Sequence, residues 1–136
     1  MNRIVVAMCT AGLFAWAGCG DDPPPGTEAD HVGVGAECVT NEDCPQPVDD
    51  SVPAQICLQQ FDGGYCGIED CTGNDDCPDG SACVAHDDGV NYCFRVCLDK
   101  SECNLNRTID NQSNCSSNIT FVDPNTNVKA CVPPSS

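Results

Sequence analysis

Apolar residues follow two different patterns along this chain. Near the N-terminus one run, residues 4–16, follows a single basic residue, Arg3. Further along, apolar and β-branched residues come in short stretches that face each other across turn residues. Asp-Gly and Asp-Pro-Asn are strong turn signals between β-forming residues, so each pair predicts a hairpin. The pairs are 56–60 with 65–66, 82–85 with 90–94, and 119–122 with 128–132.

The N-terminal run predicts a signal peptide over residues 1–18. It is shorter than the roughly 20 apolar residues that a membrane span needs, and small residues follow it. Ala15-Trp16-Ala17 has the small-x-small pattern of ordinary signal peptidase sites. Ala17-Gly18-Cys19 instead resembles the lipobox of bacterial lipoproteins, which are cut just before a cysteine that carries diacylglycerol. Trp16 stands where that family usually has Leu.

The number of cysteines favours the lipoprotein cleavage. The chain has 14 Cys, and Cys9 leaves with the signal peptide. Ordinary cleavage would leave an odd number in an oxidising compartment, whereas a lipid on Cys19 leaves 12 for disulfides. Residues 19–37 would then be the lipidated cysteine and an acidic tether rich in Pro and Gly. The alternative is a plainly secreted protein in which Cys19 is free or is paired between chains.

The other twelve cysteines form an internal repeat of about 30 residues. Each set of four opens with two cysteines that five residues separate. The sets define module 1 at 38–70, module 2 at 71–96 and module 3 at 97–136. The cysteines expected in disulfides are Cys38, Cys44, Cys57, Cys66, Cys71, Cys77, Cys83, Cys93, Cys97, Cys103, Cys115 and Cys131.

The opening of each set predicts a single helical turn. Thr40 with Asp43, and Asp99 with Glu102, have the spacing of a capping pair, and Gly73 takes the cap position in the middle set. The expected fold class is therefore a small disulfide-rich protein with little regular secondary structure. It would consist of three tandem four-cysteine modules, each a short helical turn plus a β-hairpin.

Disulfides rather than burial are expected to hold these modules together. From Cys19 onward, 21 of 118 residues are Leu, Ile, Val or Phe, which is below the ~20% mark under which charged chains usually stay disordered. Six disulfides would contribute about 12–24 kcal/mol gross. Twelve cysteines allow roughly ten thousand pairings, and pairing within modules leaves about 27. Pairing first to third and second to fourth is favoured because it ties the helical turn to both strands, and the others stay open.

The middle module carries a family resemblance. From Cys71 it reads Cys-x5-Cys-Pro-Asp-Gly-Ser-Ala-Cys83 and resembles the C-x5-C-P-x-G-x-x-C repeats of cysteine-rich surface lipoproteins in myxobacteria and their relatives. It is more loosely similar to the N-terminal cysteine-rich region of Dickkopf proteins and to EB-type modules of animal secreted proteins. The resemblance covers residues 38–131 and weakens in the outer modules. It implies an exported, non-catalytic domain and no particular ligand.

Charge is distributed unevenly along the chain, whose formal net charge is −16. Residues 21–88 contain 17 acidic residues and no Lys or Arg, whereas four acidic and four basic residues follow from Arg95 onward. Such a balance argues against nucleic acid and against anionic membrane surfaces as electrostatic partners. It indicates a solubilising, repulsive surface. A basic partner on the acidic half is one alternative. Another is a Ca²⁺ site formed by Asp75, Asp76, Asp79, Asp87 and Asp88.

The sequence carries no enzymatic motif, and no cofactor is expected. His31 and His86 belong to no nucleophile or metal motif, and the C-x5-C spacing differs from the C-x2-C of zinc sites.

Aromatic residues are the candidate partner contacts, because aromatic side chains supply much of the binding energy at protein interfaces. Phe61 and Phe121 are the main candidates. Tyr65, Tyr92 and Phe94 lie beside or close to cysteines and are expected to pack over the disulfides instead.

Together these features predict a non-enzymatic exported lipoprotein of the cell envelope, held at the outer membrane or cell surface by its lipid. It would bind a protein or a glycan through its hairpin tips. One alternative is a structural or protective envelope component without a specific ligand. The other is a secreted, glycosylated ligand or inhibitor, based on Asn-x-Ser/Thr triplets at Asn106, Asn111, Asn114 and Asn118.

Overall fold

The computed structural model describes residues 26–47, 50–124 and 128–135. Within these ranges the regular elements are short and mostly extended. The α-helices are single turns, α1 (Glu28–His31) and α2 (Lys100–Cys103), and 3₁₀ turns lie at Asn41–Asp43, Asn74–Asp76 and Ile109–Asn111. The strands are β1 (Ile56–Cys57), β2 (Cys66–Gly67), β3 (Ser81–Ala85), β4 (Asn91–Cys97), β5 (Asn114–Ser116), β6 (Thr120–Phe121) and β7 (Lys129–Val132).

The opening turns begin at the predicted cap positions. Thr40 and Gly73 precede the first two 3₁₀ turns, and Asp99 precedes α2. The Asp99 carboxylate accepts hydrogen bonds from the backbone N–H groups of Ser101 and Glu102, at 2.8 and 3.3 Å. These bonds satisfy donors that have no partner within a helix's first turn.

Two antiparallel sheets hold the strands. β1 pairs with β2, and the other five follow the order β5-β7-β4-β3-β6. β3 and β4 form a hairpin of five residue pairs, from Ser81 opposite Arg95 to Ala85 opposite Asn91. Gly89 in its turn has φ of 86°, a conformation that glycine adopts without steric cost. The first two predicted hairpins are therefore present.

The predicted third hairpin, 119–122 with 128–132, is wrong. β6 pairs with β3, and β7 pairs with both β4 and β5. Ala130 lies opposite Val96 on one side and Ser116 on the other. β6 and β7 pair with the backbone groups along both edges of the β3–β4 hairpin. A hairpin formed by β6 and β7 alone would leave those edges without partners. The second and third sets therefore share one sheet and are not two separate helix-plus-hairpin units.

Six disulfides join the cysteines within their own sets. In every set the first cysteine bonds the third and the second bonds the fourth, which confirms the favoured pairing. The third and fourth cysteines of each set also lie directly opposite each other on paired strands. The bonds are Cys38–Cys57, Cys44–Cys66, Cys71–Cys83, Cys77–Cys93, Cys97–Cys115 and Cys103–Cys131.

An aromatic cluster forms the centre of the core. Phe61, Tyr65, Tyr92 and Phe94 are each at most 2% exposed. The ring of Phe61 meets Tyr92 and Phe94 edge-on, with centroids 5.2 and 5.8 Å apart, and Tyr92 stacks on Phe94 at 5.8 Å. Burial therefore adds to the disulfides more than the low aliphatic content predicts, since each aromatic side chain removes a large apolar area from water.

The second half of the predicted tether is part of the folded body. In residues 26–37, Ala29, Val32 and Val34 are buried in the same cluster as the aromatic side chains. The Gly35 N–H donates to the Cys66 carbonyl, and the Cys66 N–H donates to the Ala36 carbonyl, both at 2.9 Å. The predicted tether, 19–37, is thus too long at its C-terminal end, because this stretch has apolar residues that the core accommodates.

Candidate functional site

Carboxylates fix the opening loop of each four-cysteine set. The acidic residue before the second cysteine accepts a hydrogen bond from the backbone N–H that follows the first cysteine. The three bonds join Asp43 to Val39 at 2.9 Å, Asp76 to Thr72 at 2.7 Å and Glu102 to Leu98 at 2.7 Å. Backbone amides, those of Thr40 and Thr72 foremost, lower the pKa of Asp43 and Asp76. Part of the acidic character is therefore structural.

Asparagine side chains connect these loops to the strands. Oδ1 of Asn41 accepts from the Cys57 N–H, and Oδ1 of Asn74 accepts from the Cys83 N–H, both at 2.9 Å. In the third set Asn104 holds the Ser113 N–H at 2.8 Å instead. Sequence reasoning missed these residues, although Asn stands three positions after the first cysteine in both of the first two sets.

Arg107 joins the third set to the rest of the molecule. Its guanidinium donates to the carbonyls of Gly35, Asp62, Gly64 and Asn111 at 2.6–3.0 Å. Burial lowers the pKa of this guanidinium, and an arginine remains charged in proteins. Sequence reasoning missed this role, because backbone carbonyl partners have no sequence signature.

A second arginine holds the N-terminal segment. Arg95 on β4 forms an ion pair with Asp30 of α1. Burial opposes ionisation of Asp30, but the Thr27 backbone hydrogen bond and the charge of Arg95 outweigh it, so the pKa of the carboxyl is lowered. The pair docks the folded end of the predicted tether on the sheet.

The five aspartates proposed as a calcium site do not come together. Among the described residues, the groups of three or more ligand atoms within 4.8 Å consist of cysteine sulfurs, all of which are in disulfides. The Asp76 carboxylate accepts a hydrogen bond from the Thr72 N–H of its own loop. Asp88 accepts from the Val90 N–H at 2.9 Å and from the Tyr92 hydroxyl at 2.8 Å. These two carboxylates therefore hold local turns, and Asp75, Asp79 and Asp87 are exposed.

The candidate aromatic contacts are placed differently from one another. Phe61 is 2% exposed and is unavailable to a partner, because it is in the aromatic cluster. Tyr65, Tyr92 and Phe94 are buried in that cluster as well, whereas the bonded cysteines belong to separate clusters. Phe121 is half-buried on β6 and is the remaining candidate of the pair.

The two histidines have different settings. His31 ends α1 and is exposed. His86 lies beside the β3–β4 turn, with Nδ1 3.3 Å from Asp88 and its ring edge-on to Phe61 at 5.4 Å.

A groove of about 510 Å³ opens on the surface of the described part of the chain. It lies beside His86 and is lined by residues of β3, β5, β6 and β7 and by the segment between β5 and β6. Two of the four candidate glycan acceptors, Asn114 and Asn118, line this groove. Both side chains are exposed. Sequence reasoning did not predict the groove, since it depends on the long-range pairing of β6 and β7.

Over the described residues, the fold and its bonds define a small disulfide-rich protein with six disulfides, short helices and two β-sheets. No family model, curated protein or solved structure matches the chain. The described helices include none with the length and apolar character to cross a membrane. The predicted signal peptide and the proposed lipid anchor at Cys19 lie outside the described residues.

Proposed function

We propose that this chain is a non-enzymatic exported lipoprotein, anchored in the cell envelope by a lipid on Cys19. In this proposal the folded body is presented at the cell surface, where it binds a protein or a glycan. In this proposal the body consists of three repeated units, and each unit has an opening turn and two cysteine-paired strands.

The observation that carries the proposal is the complete pairing of the twelve cysteines from Cys38 to Cys131. Extensive disulfides are consistent with an exported, extracellular protein, since the cytosol keeps thiols reduced. The non-enzymatic part of the proposal rests on the absence of nucleophile and metal motifs in the sequence. The anchor rests on the lipobox-like residues before Cys19 and on the even number of cysteines that lipidation leaves.

Two alternatives have observations of their own. A protective envelope role without a ligand is favoured by the burial of the disulfides: eleven of the twelve bonded cysteines are buried. A secreted and glycosylated protein is favoured by the exposure of Asn106, Asn114 and Asn118, because an acceptor must reach its modifying enzyme.

The intact mass of the native mature protein tests the anchor and the disulfides together. We expect a mature chain that starts at Cys19 and carries acyl mass, with 12 alkylatable thiols that appear only after reduction. A start at Gly18 without lipid would overturn the lipoprotein proposal. Hexose mass on the chain would support the secreted alternative.

Surface presentation has a separate test. Lys100 and Lys129 are exposed, so a membrane-impermeant amine reagent should label them on intact cells. The matched control is Cys19→Ser, which keeps both lysines and removes the lipid acceptor. We expect labelled protein on wild-type cells and a loss of cell-bound label in the variant. Labelling only after cell lysis would contradict surface presentation.

A further inference from the structure

The groove arises from strong curvature of the five-stranded sheet. β5 and β6 are the two outer strands, yet only residues 117–119 connect them. The four residue steps from Ser116 to Thr120 reach at most about 14 Å, whereas four strand spacings in a flat sheet amount to about 19 Å. The sheet must therefore curl, and the groove is lined by residues of both outer strands.

Three of the polar side chains that line this groove have no protein partner. Within the described part of the chain, the side chains of Asn114, Ser117 and Asn118 make no hydrogen bond. The contrast with Asn41 and Asn74 is informative, because both of those amides bind backbone N–H groups. The groove therefore presents amide and hydroxyl groups whose donors and acceptors are free for a ligand.

Apolar residues line the groove as well. Val84 and Pro133 are buried, and Ile119 and Val132 are half-buried. A ligand that fits both parts has many hydroxyl groups and also C–H surfaces. The groove's volume, about 510 Å³, lies within the roughly 300–1,000 Å³ of small-molecule sites. Its lining is mainly polar, whereas the walls of most such sites are mainly apolar.

Charge and strand length limit the choice of ligand. Asp87 lines the groove, and the chain's net charge of −16 repels anions. A peptide that extended the sheet would find only three residues on β5 and two on β6, so it would gain few main-chain hydrogen bonds. An uncharged polyhydroxylated ligand satisfies both limits.

We propose that the groove beside His86, formed by the outer strands β5 and β6, binds an uncharged oligosaccharide. Its exposed amides and hydroxyls, including those of Asn114, Ser117 and Asn118, would form hydrogen bonds with the sugar hydroxyls, and the half-buried Ile119 and Val132 would contact its C–H faces. This inference rests on the proposed function as a surface binding module and names its ligand class.

The test is nuclear magnetic resonance titration of the isotope-labelled, oxidised mature protein. The probes are uncharged oligomers of glucose, mannose, galactose and N-acetylglucosamine at millimolar concentration. Controls are a sulfated oligosaccharide and an extended Ser/Thr-rich peptide. We expect at least one uncharged oligomer to shift the side-chain amide signals of Asn114 and Asn118, while the amide of Asn104, which is bonded to Ser113, stays in place.

Two matched variants locate the binding. Asn118→Trp fills the groove, whereas Asn106→Trp alters another exposed Asn-x-Thr residue that lies outside it. We expect the first variant to weaken binding about tenfold or more and the second to leave it within about twofold. Retention of the native disulfides and of dispersed amide signals shows that each variant is folded.

Several outcomes would overturn the inference. These are a failure of every uncharged oligomer, binding of the sulfated sugar or the peptide alone, or equal effects of the two Trp substitutions. A covalent glycan on Asn114 or Asn118 of the native protein would overturn it too, because that glycan would occupy the groove. If sugars fail while Cys19 is lipidated and surface labelling succeeds, only this inference falls. If sugars bind but Cys19 carries no lipid, only the anchor falls.

Discussion

The second and third four-cysteine sets share one disulfide pattern but connect their paired strands differently. In the second set β3 and β4 follow each other directly, and nine residues separate Cys83 from Cys93. In the third set β5 and β7 are the cysteine-paired strands, and fifteen residues, including β6, separate Cys115 from Cys131. The longer connection frees β6 to pair with β3. The spacing of the cysteines therefore determines which strands pair within a set. The length of the connection between those two strands determines whether a further strand, such as β6, can pair with the neighbouring set.

Reduction of the disulfides should have the largest effect on stability. The order in which the disulfides are reduced should distinguish the two sets. Full reduction removes about 12–24 kcal/mol of gross stabilisation, more than the net stability of most small domains. We expect Cys97–Cys115 to be reduced first, because Cys115 is half-buried while the other eleven bonded cysteines are buried. Partial reduction, alkylation and peptide mass spectrometry measure the order. Earlier alkylation of Cys77 or Cys93 would contradict the comparison.

Substitution of Phe61 tests how the first set depends on the second. Phe61→Ala should lower the free energy of unfolding by about 3–5 kcal/mol, since it leaves a cavity among Tyr65, Tyr92 and Phe94. Denaturant titration measures this loss. Phe121→Ala is the control and should cost less, because Phe121 is half-buried. Equal costs would show that the aromatic cluster is not the centre of the core.

Arg107→Met tests the bond between the third set and the rest. It removes hydrogen bonds to Gly35, Asp62 and Gly64 and leaves their carbonyls without this partner. We expect a loss of about 2–3 kcal/mol in denaturant titration. The control is Lys100→Met, on an exposed side chain, which should change stability by less than about 0.5 kcal/mol. If both variants behaved alike, the arginine would not join the sets.

Acid should loosen the opening loops by a smaller amount. The pKa of Asp43 is lowered by the backbone amides of Thr40 and Val39, so its contribution is complete above the ordinary value of 3.8 and is lost as pH falls through the lowered pKa. The melting temperature, measured from pH 6 downward, should fall more steeply with pH in wild type than in Asp43→Asn. The control is Asp75→Asn, on an exposed side chain, which should keep the wild-type slope.

The features that were predictable from the sequence depend on neighbours close along the chain. The opening turns at Thr40, Gly73 and Asp99 follow from short spacings, and the turn at Gly89 follows from Asp-Gly. The disulfide pairing was the favoured one of about 27 that pairing within modules left open. The partners of β6 and β7 were not predictable, because a turn signal at Asp123 competes with open sheet edges that only the folded second set provides. The burial of Phe61 and the groove depend on the same long-range pairing.

The central claim of this account is that the covalent bonds stay within each set while the strands cross between sets. Proteolysis of the native protein without reduction, followed by mass spectrometry of the linked peptides, tests the covalent half most directly. We expect six bonds, each from first to third or second to fourth cysteine in its own set. A bond between sets, such as one from Cys93 to Cys97, or any free thiol among the twelve would contradict the account.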